Sequence, residues 1–138
     1  MLVILVLAAG YEPAKAAEGF EPAHKVVIQV DSADVKEQQL ALNNAANLLK
    51  HYGPDNIKIE LVAYGPGLKL LTDKSESKER IRSLSQQDIQ FSACANTMQG
   101  IKRRTGKEPV LTEGVKIVPA GVARIIELQE QGYSYIRP

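Results

Sequence analysis

The sequence has no tryptophan, one cysteine, two histidines and almost no net charge, and each shortage removes a class of function. One cysteine, Cys94, excludes an internal disulfide framework and every multi-cysteine zinc or iron–sulfur pattern. Two histidines, His24 and His51, are far apart in the chain and leave little to build a metal site from, so none is expected. No motif calls for a cofactor either. Lys plus Arg is 17 against 16 for Asp plus Glu, a formal charge of +1, so there is no basic surplus to neutralise a phosphate backbone. Two Phe and five Tyr are too few for a base-stacking platform. A nucleic-acid partner is not expected.

What remains is a chain of 138 residues, 44% hydrophobic and 24% charged, the size and balance of one folded domain. Its first segment needs a separate decision. Leu2 to Ala9 read LVILVLAA, far short of the ~20 apolar residues of a membrane-spanning helix. Ala14-Lys15-Ala16 followed by Ala17 places small residues where a signal peptidase inspects the chain. The alternative is a buried first strand, since eight apolar residues also suit a two-sided strand. The expectation is a signal peptide over 1–16, a linker over 17–24 and a domain over 25–138. Cleavage makes the mature protein periplasmic or exported, with no stable membrane insertion; a retained leader sequence makes it cytoplasmic or is an uncleaved anchor.

From Lys25 onward, strand and helix patterns alternate. Val26 to Val30, Ile57 to Ala63, Ile89 to Ala93, Val115 to Val118 and Tyr133 to Ile136 read as strands. Helices are expected over Val35 to Tyr52, about Ser75 to Gln86, Asn96 to Arg104 and from Pro119 to Gly132, the last with Val122, Ile125, Ile126 and Gln129 along one side. Such alternation implies an α/β fold: parallel strands, crossover connections, and helices on both faces of the sheet.

Parallel sheets place ligand chemistry at the carboxyl ends of their strands. Asp31, Ser32, Tyr64, Gly65, Gly67, Cys94, Asn96 and Thr97 all fall there. Both histidines fall at the opposite edge, which disfavours a Cys–His dyad. At a strand-to-helix junction, free N–H groups and the helix dipole lower a thiol pKa from its ordinary ~8.5. A buried small hydrophobe is the competing account of Cys94. Asn96 and Thr97 are also ordinary helix-start residues. Gly65-Pro66-Gly67 lacks the Lys-Ser/Thr of a Walker loop and the third glycine of a dinucleotide fingerprint. Asn43 and Asn47 share a helix face, either tying it to a neighbour or facing water.

The stretches KVVIQVDSAD, LALNNAANLLKHYG, IKIELVAYGPGLKLL, IQFSACANTM and VKIVPAGVARIIELQEQGYSYIRP, in this order, resemble the DsrE/DsrF-like sulfur-relay proteins, and most of all their exported single-domain members. The resemblance spans Lys25 to Pro138. It implies a three-layer α/β/α fold with a five-stranded, mainly parallel sheet, assembled as a homotrimer or homohexamer. It also implies that Cys94 matches the cysteine that accepts sulfur as a persulfide in the relay subunits. The expected function is a persulfide-forming sulfur carrier or sulfurtransferase-like protein, with sulfur-donor and acceptor proteins or small thiols as partners. Asn96 and Thr97 would bond the bound sulfur and Tyr64 would wall the pocket. A non-catalytic module for a small anion or metabolite, or a structural subunit, stands against it.

Overall fold

The structure, a computed structural model, describes residues 21–138. The expected leader and residues 17–20 of the expected linker lie outside the described residues. Five strands, β1 (His24–Val30), β2 (Ile57–Ala63), β3 (Ile89–Cys94), β4 (Val115–Val118) and β5 (Ser134–Ile136), form one sheet in the order β4-β3-β2-β1-β5. Every neighbouring pair is parallel. The helices are α1 (Val35–Tyr52), α2 (Lys78–Ser85), α3 (Ala95–Thr105) and α4 (Gly121–Glu130), and a 3-10 segment covers Gly65–Leu71. Among the described residues, no helix is long and apolar enough to cross a membrane.

Alternation along the strands divides the core in two. Val26, Ile28 and Val30 of β1, Ile59 and Leu61 of β2, and Phe91 of β3 point to one face. There they meet Leu42 and Ala45 of α1, Leu68 to Leu71, Ile81 and Leu84 of α2, and Met98 of α3. Val27 and Val62 point to the other face and meet Ile125 and Leu128 of α4, with Tyr64 and Tyr133 packed against them. The chain thus steps from β1 to β4 with its helices on one face. It then returns across the sheet to β5 with α4 on the other, as the uniform handedness of parallel crossovers requires.

Local chemistry explains the helix ends. The Asp34 carboxylate accepts the N–H groups of Lys36 and Glu37 and opens α1, and Gly106, at φ +78°, closes α3 in the left-handed region. Asn43 ties rather than solvates: its Oδ1 accepts Arg80 Nη2 at 2.7 Å, joining α1 to α2. Three expectations change. The second helix begins at Lys78, because Ser75 and Ser77 are buried in the turn before it, where the Ser77 N–H bonds Ser75 Oγ. The fourth begins at Gly121, with Pro119 outside and Ala120 extended. Its buried side carries Gly121, Ile125 and Leu128, whereas Val122 and Ile126 are about half exposed.

Candidate functional site

The loops leaving β1, β2 and β3 turn toward the face of α1–α3, and the loop leaving β4 turns toward α4. The chain therefore parts between the carboxyl ends of β3 and β4, where open parallel sheets hold their ligands. Cys94, the last residue of β3, stands at that parting, paired with Val118 of β4. It is also the residue from which α3 starts.

The first N–H groups of a helix have no partner inside it, and the helix dipole makes that end positive. Two such ends meet at Cys94 Sγ. From α4, the Gly121 N–H donates to the sulfur at 3.2 Å with full hydrogen-bond geometry. From α3, the Thr97 hydroxyl and the N–H groups of Thr97 and Asn96 also approach it. Thr97 Oγ1 itself accepts the Gly65 N–H at 2.9 Å, which leaves its hydrogen for the sulfur. Cys94 is only 5% exposed. Burial pushes the thiol pKa up, but the Thr97 hydroxyl, the Gly121 N–H and the two α3 amides outweigh it, and the net shift is downward.

Tyr64, just past β2, covers this junction: a Cβ on Gly121 would lie 3.0 Å from Tyr64 Cβ and 3.3 Å from Cys94 Cβ. Burial, then the charge of Asp31, raises the Tyr64 phenol above its usual range. Gly65 opens the 3-10 segment at φ +54°, and Gly67 packs directly on the Val30 carbonyl, holding the segment against the end of β1. Asp31 and Ser32 share the edge but not the sulfur's surroundings. Asp31 pairs with Arg137 Nη2 at 3.2 Å, and Ser32 Oγ accepts the Asp34 N–H ahead of α1. Both line a separate shallow depression with Gln29, Glu37 and Pro138. The structure thus gathers Cys94, Thr97, Asn96, Tyr64 and Gly65 and leaves Asp31 and Ser32 to one side.

Besides Gly121 as a donor to the sulfur, sequence reasoning missed two features. One is a polar network under α4: buried Glu60 accepts Arg124 through two bonds and the Ser92 hydroxyl at 2.7 Å. A carboxylate inside the apolar strand IKIELVA was the available signal. The other is a groove of about 1110 Å³ between the 3-10 segment, α3 and residues 107–110. Gly65, Asn96 and Thr97 line its end nearest the sulfur, and Lys69, Lys74, Arg104 and Lys107 outnumber Asp73 and Glu108 along it. Among the described residues, no group of three or more His, Cys, Asp or Glu is placed to hold a metal.

The profile of the DsrE/DsrF-like family matches residues 24–138. The chain belongs to the DsrE/DsrF-like family. A solved structure of a protein of unknown function from Methanobacterium thermoautotrophicum is 34% identical, with a TM-score of 0.75 over 83% of this chain and 99% of that one. No curated protein matches significantly. The five-stranded parallel α/β fold of this DsrE/DsrF-like chain matches the fold of that neighbour. The family match begins at His24, the first residue of β1.

Proposed function

We propose that this DsrE/DsrF-like protein is a persulfide-forming sulfur carrier working through Cys94. The family is associated with sulfur relay in general. The observation that carries the finer reading is the convergence of two helix N-termini on Cys94 Sγ, which favours the thiolate. In the first step the thiolate attacks the sulfane sulfur of a donor. With thiosulfate, the new S–S bond forms as the donor's S–S bond breaks, and sulfite leaves with the electron pair. In the second step an acceptor thiolate attacks the outer sulfur, taking it as its own persulfide and returning Cys94 as thiolate. Neither step requires a cofactor. The donors that favour the thiolate are also placed to bond the inner sulfur of the persulfide.

Intact-mass spectrometry after incubation with thiosulfate, polysulfide or glutathione persulfide tests this. A gain of one sulfur mass, reversed by dithiothreitol and absent in Cys94→Ala, is the expected result; no gain with any donor overturns it. A second reading, a non-catalytic module for a small anion or metabolite, is favoured by the groove and its surplus of cations. Retention of a copurifying ligand by Cys94→Ala, without persulfide formation in the wild type, would select it. The carrier reading includes a homotrimer or homohexamer, checked by light scattering at micromolar concentration. It also includes export with cleavage after Ala16, checked by N-terminal sequencing of protein from the native cell.

A further inference from the structure

Arg124 lies three residues after Gly121 in the first turn of α4. Its guanidinium grips Glu60 with two bonds, Nε to Oε1 at 2.9 Å and Nη2 to Oε2 at 2.8 Å. Glu60 stands on β2, the middle strand of the sheet, 3% exposed and further held by the Ser92 hydroxyl. A planar fork on a buried carboxylate fixes one orientation of the guanidinium, and with it the turn that bears it. That turn has no other anchor of its own kind, for Ala120 supplies no side-chain cap and the first turn holds no acid. The Arg124 N–H bonds the Ala120 carbonyl at 3.0 Å. The same Ala120–Gly121 peptide carries, on its other side, the N–H that reaches Cys94 Sγ.

We propose that Glu60 and Arg124 are a positioning pair, which acts through the Ala120–Gly121 peptide to hold its N–H on Cys94 Sγ. The inference rests on the reading of Cys94 as the working sulfur but needs no persulfide chemistry. Two routes link the pair to the sulfur, and their signatures differ. Through space, removing the Arg124 charge raises the thiol pKa and removing the Glu60 charge lowers it. Through the peptide, either removal loosens the same N–H and raises it. The other titratable groups on this side, Lys25 on β1, Lys58 on β2, Tyr64 after it, Lys116 on β4, Glu127 on α4, Tyr133 before β5 and Tyr135 on it, stay unchanged in the comparison.

The test is a pH titration of the Cys94 ¹³Cβ resonance in the full chain, where a single cysteine gives a single signal. Wild type, Glu60→Gln, Arg124→Gln and Arg124→Lys are compared, with thermal unfolding recorded beside each. Both Gln variants are expected to raise the midpoint, by about one unit for loss of one donor. Arg124→Lys, a single point charge, falls between them and wild type. Leu84→Ala, a core change under α2, lowers the unfolding temperature and leaves the midpoint in place. Shifts of opposite sign in the two Gln variants, or unmoved midpoints, overturn the proposal. If Arg124→Gln does not fold, Glu60→Gln alone decides, since a rise fits only the peptide route. A wild-type midpoint at or above ~8.5 counts against the carrier reading, while the pair is still judged by the differences among variants.

Discussion

Tyr64 and Gly121, far apart in sequence, pack so closely that a carbon fits between them only if one of them gives way: a Cβ on Gly121 would stand 3.0 Å from Tyr64 Cβ and 3.2 Å from Cδ1. Gly121→Ala is therefore expected to push the start of α4 off the sulfur. The Cys94 thiol pKa should rise by about one unit, with loss of one donor to the thiolate. Iodoacetamide rates against pH check this; an unchanged midpoint would refute it.

Gly67 faces a harder limit. A Cβ there would fall 2.2 Å from the Val30 carbonyl oxygen and 2.6 Å from its carbon, both backbone atoms of β1. Gly67→Ala is expected to reach or exceed the upper end of the ~1–3 kcal/mol of an overpacked core. Urea unfolding measures it, and a loss under about 1 kcal/mol contradicts it.

The Glu60–Arg124 pair allows stability and thiol chemistry to be separated. Arg124→Met leaves a buried carboxylate with only Ser92 and is expected to cost about 3–5 kcal/mol, less whatever water restores at a site where Arg124 is 27% exposed. Glu60→Met with Arg124→Leu removes both charges and should recover most of that stability. Unfolding curves of the single and double variants decide, and a double variant no better than Arg124→Met counts against it.

Linkage gives the cysteine a pH signature. Burial opposes ionisation of Cys94, yet the Thr97 hydroxyl and the Gly121, Thr97 and Asn96 amides lower its pKa on balance. Stability from this group is then fully present above the unfolded value of ~8.5 and is lost as pH falls through the lower folded value. The margin of wild type over Cys94→Ala should widen with rising pH inside that window and flatten above it. Tyr64 and Tyr133 act in the opposite sense, since burial raises both phenols. Their contribution is present below about 10 and is lost as pH rises through the raised values. Denaturant titrations from neutral to alkaline pH follow both limbs.

The five strands were legible because four of them carry β-branched or apolar runs bounded by Gly, Pro, Asn or Asp. Cys94 was legible as a residue at a strand end. Gly121 as its partner was not. That contact, 27 residues away, depends on the crossover changing face between α3 and α4. The buried side of α4 was misplaced because Val122, Ile125 and Ile126 form one acceptable stripe and Gly121, Ile125 and Leu128 another. Glu60 chooses between them, since Arg124 must face the sheet to reach it. The groove was illegible for a related reason. Its walls come from three separate segments, joined where the Thr112 N–H bonds the Leu71 carbonyl and the Asp73 N–H bonds the Val110 carbonyl.

The long return of the chain from β4 to β5 has a consequence in time. Strand β5 pairs with β1 across more than a hundred residues, Val26 with Ser134, and α4 lies within that return. Pairings so distant in sequence close late, and a nascent chain folds from its N-terminus as it emerges. During synthesis Cys94 therefore has its α3 donors first and waits for Gly121 until the last elements dock. In that interval the sulfur lacks the Gly121 N–H, and the helix that bears it does not yet pack beside Cys94.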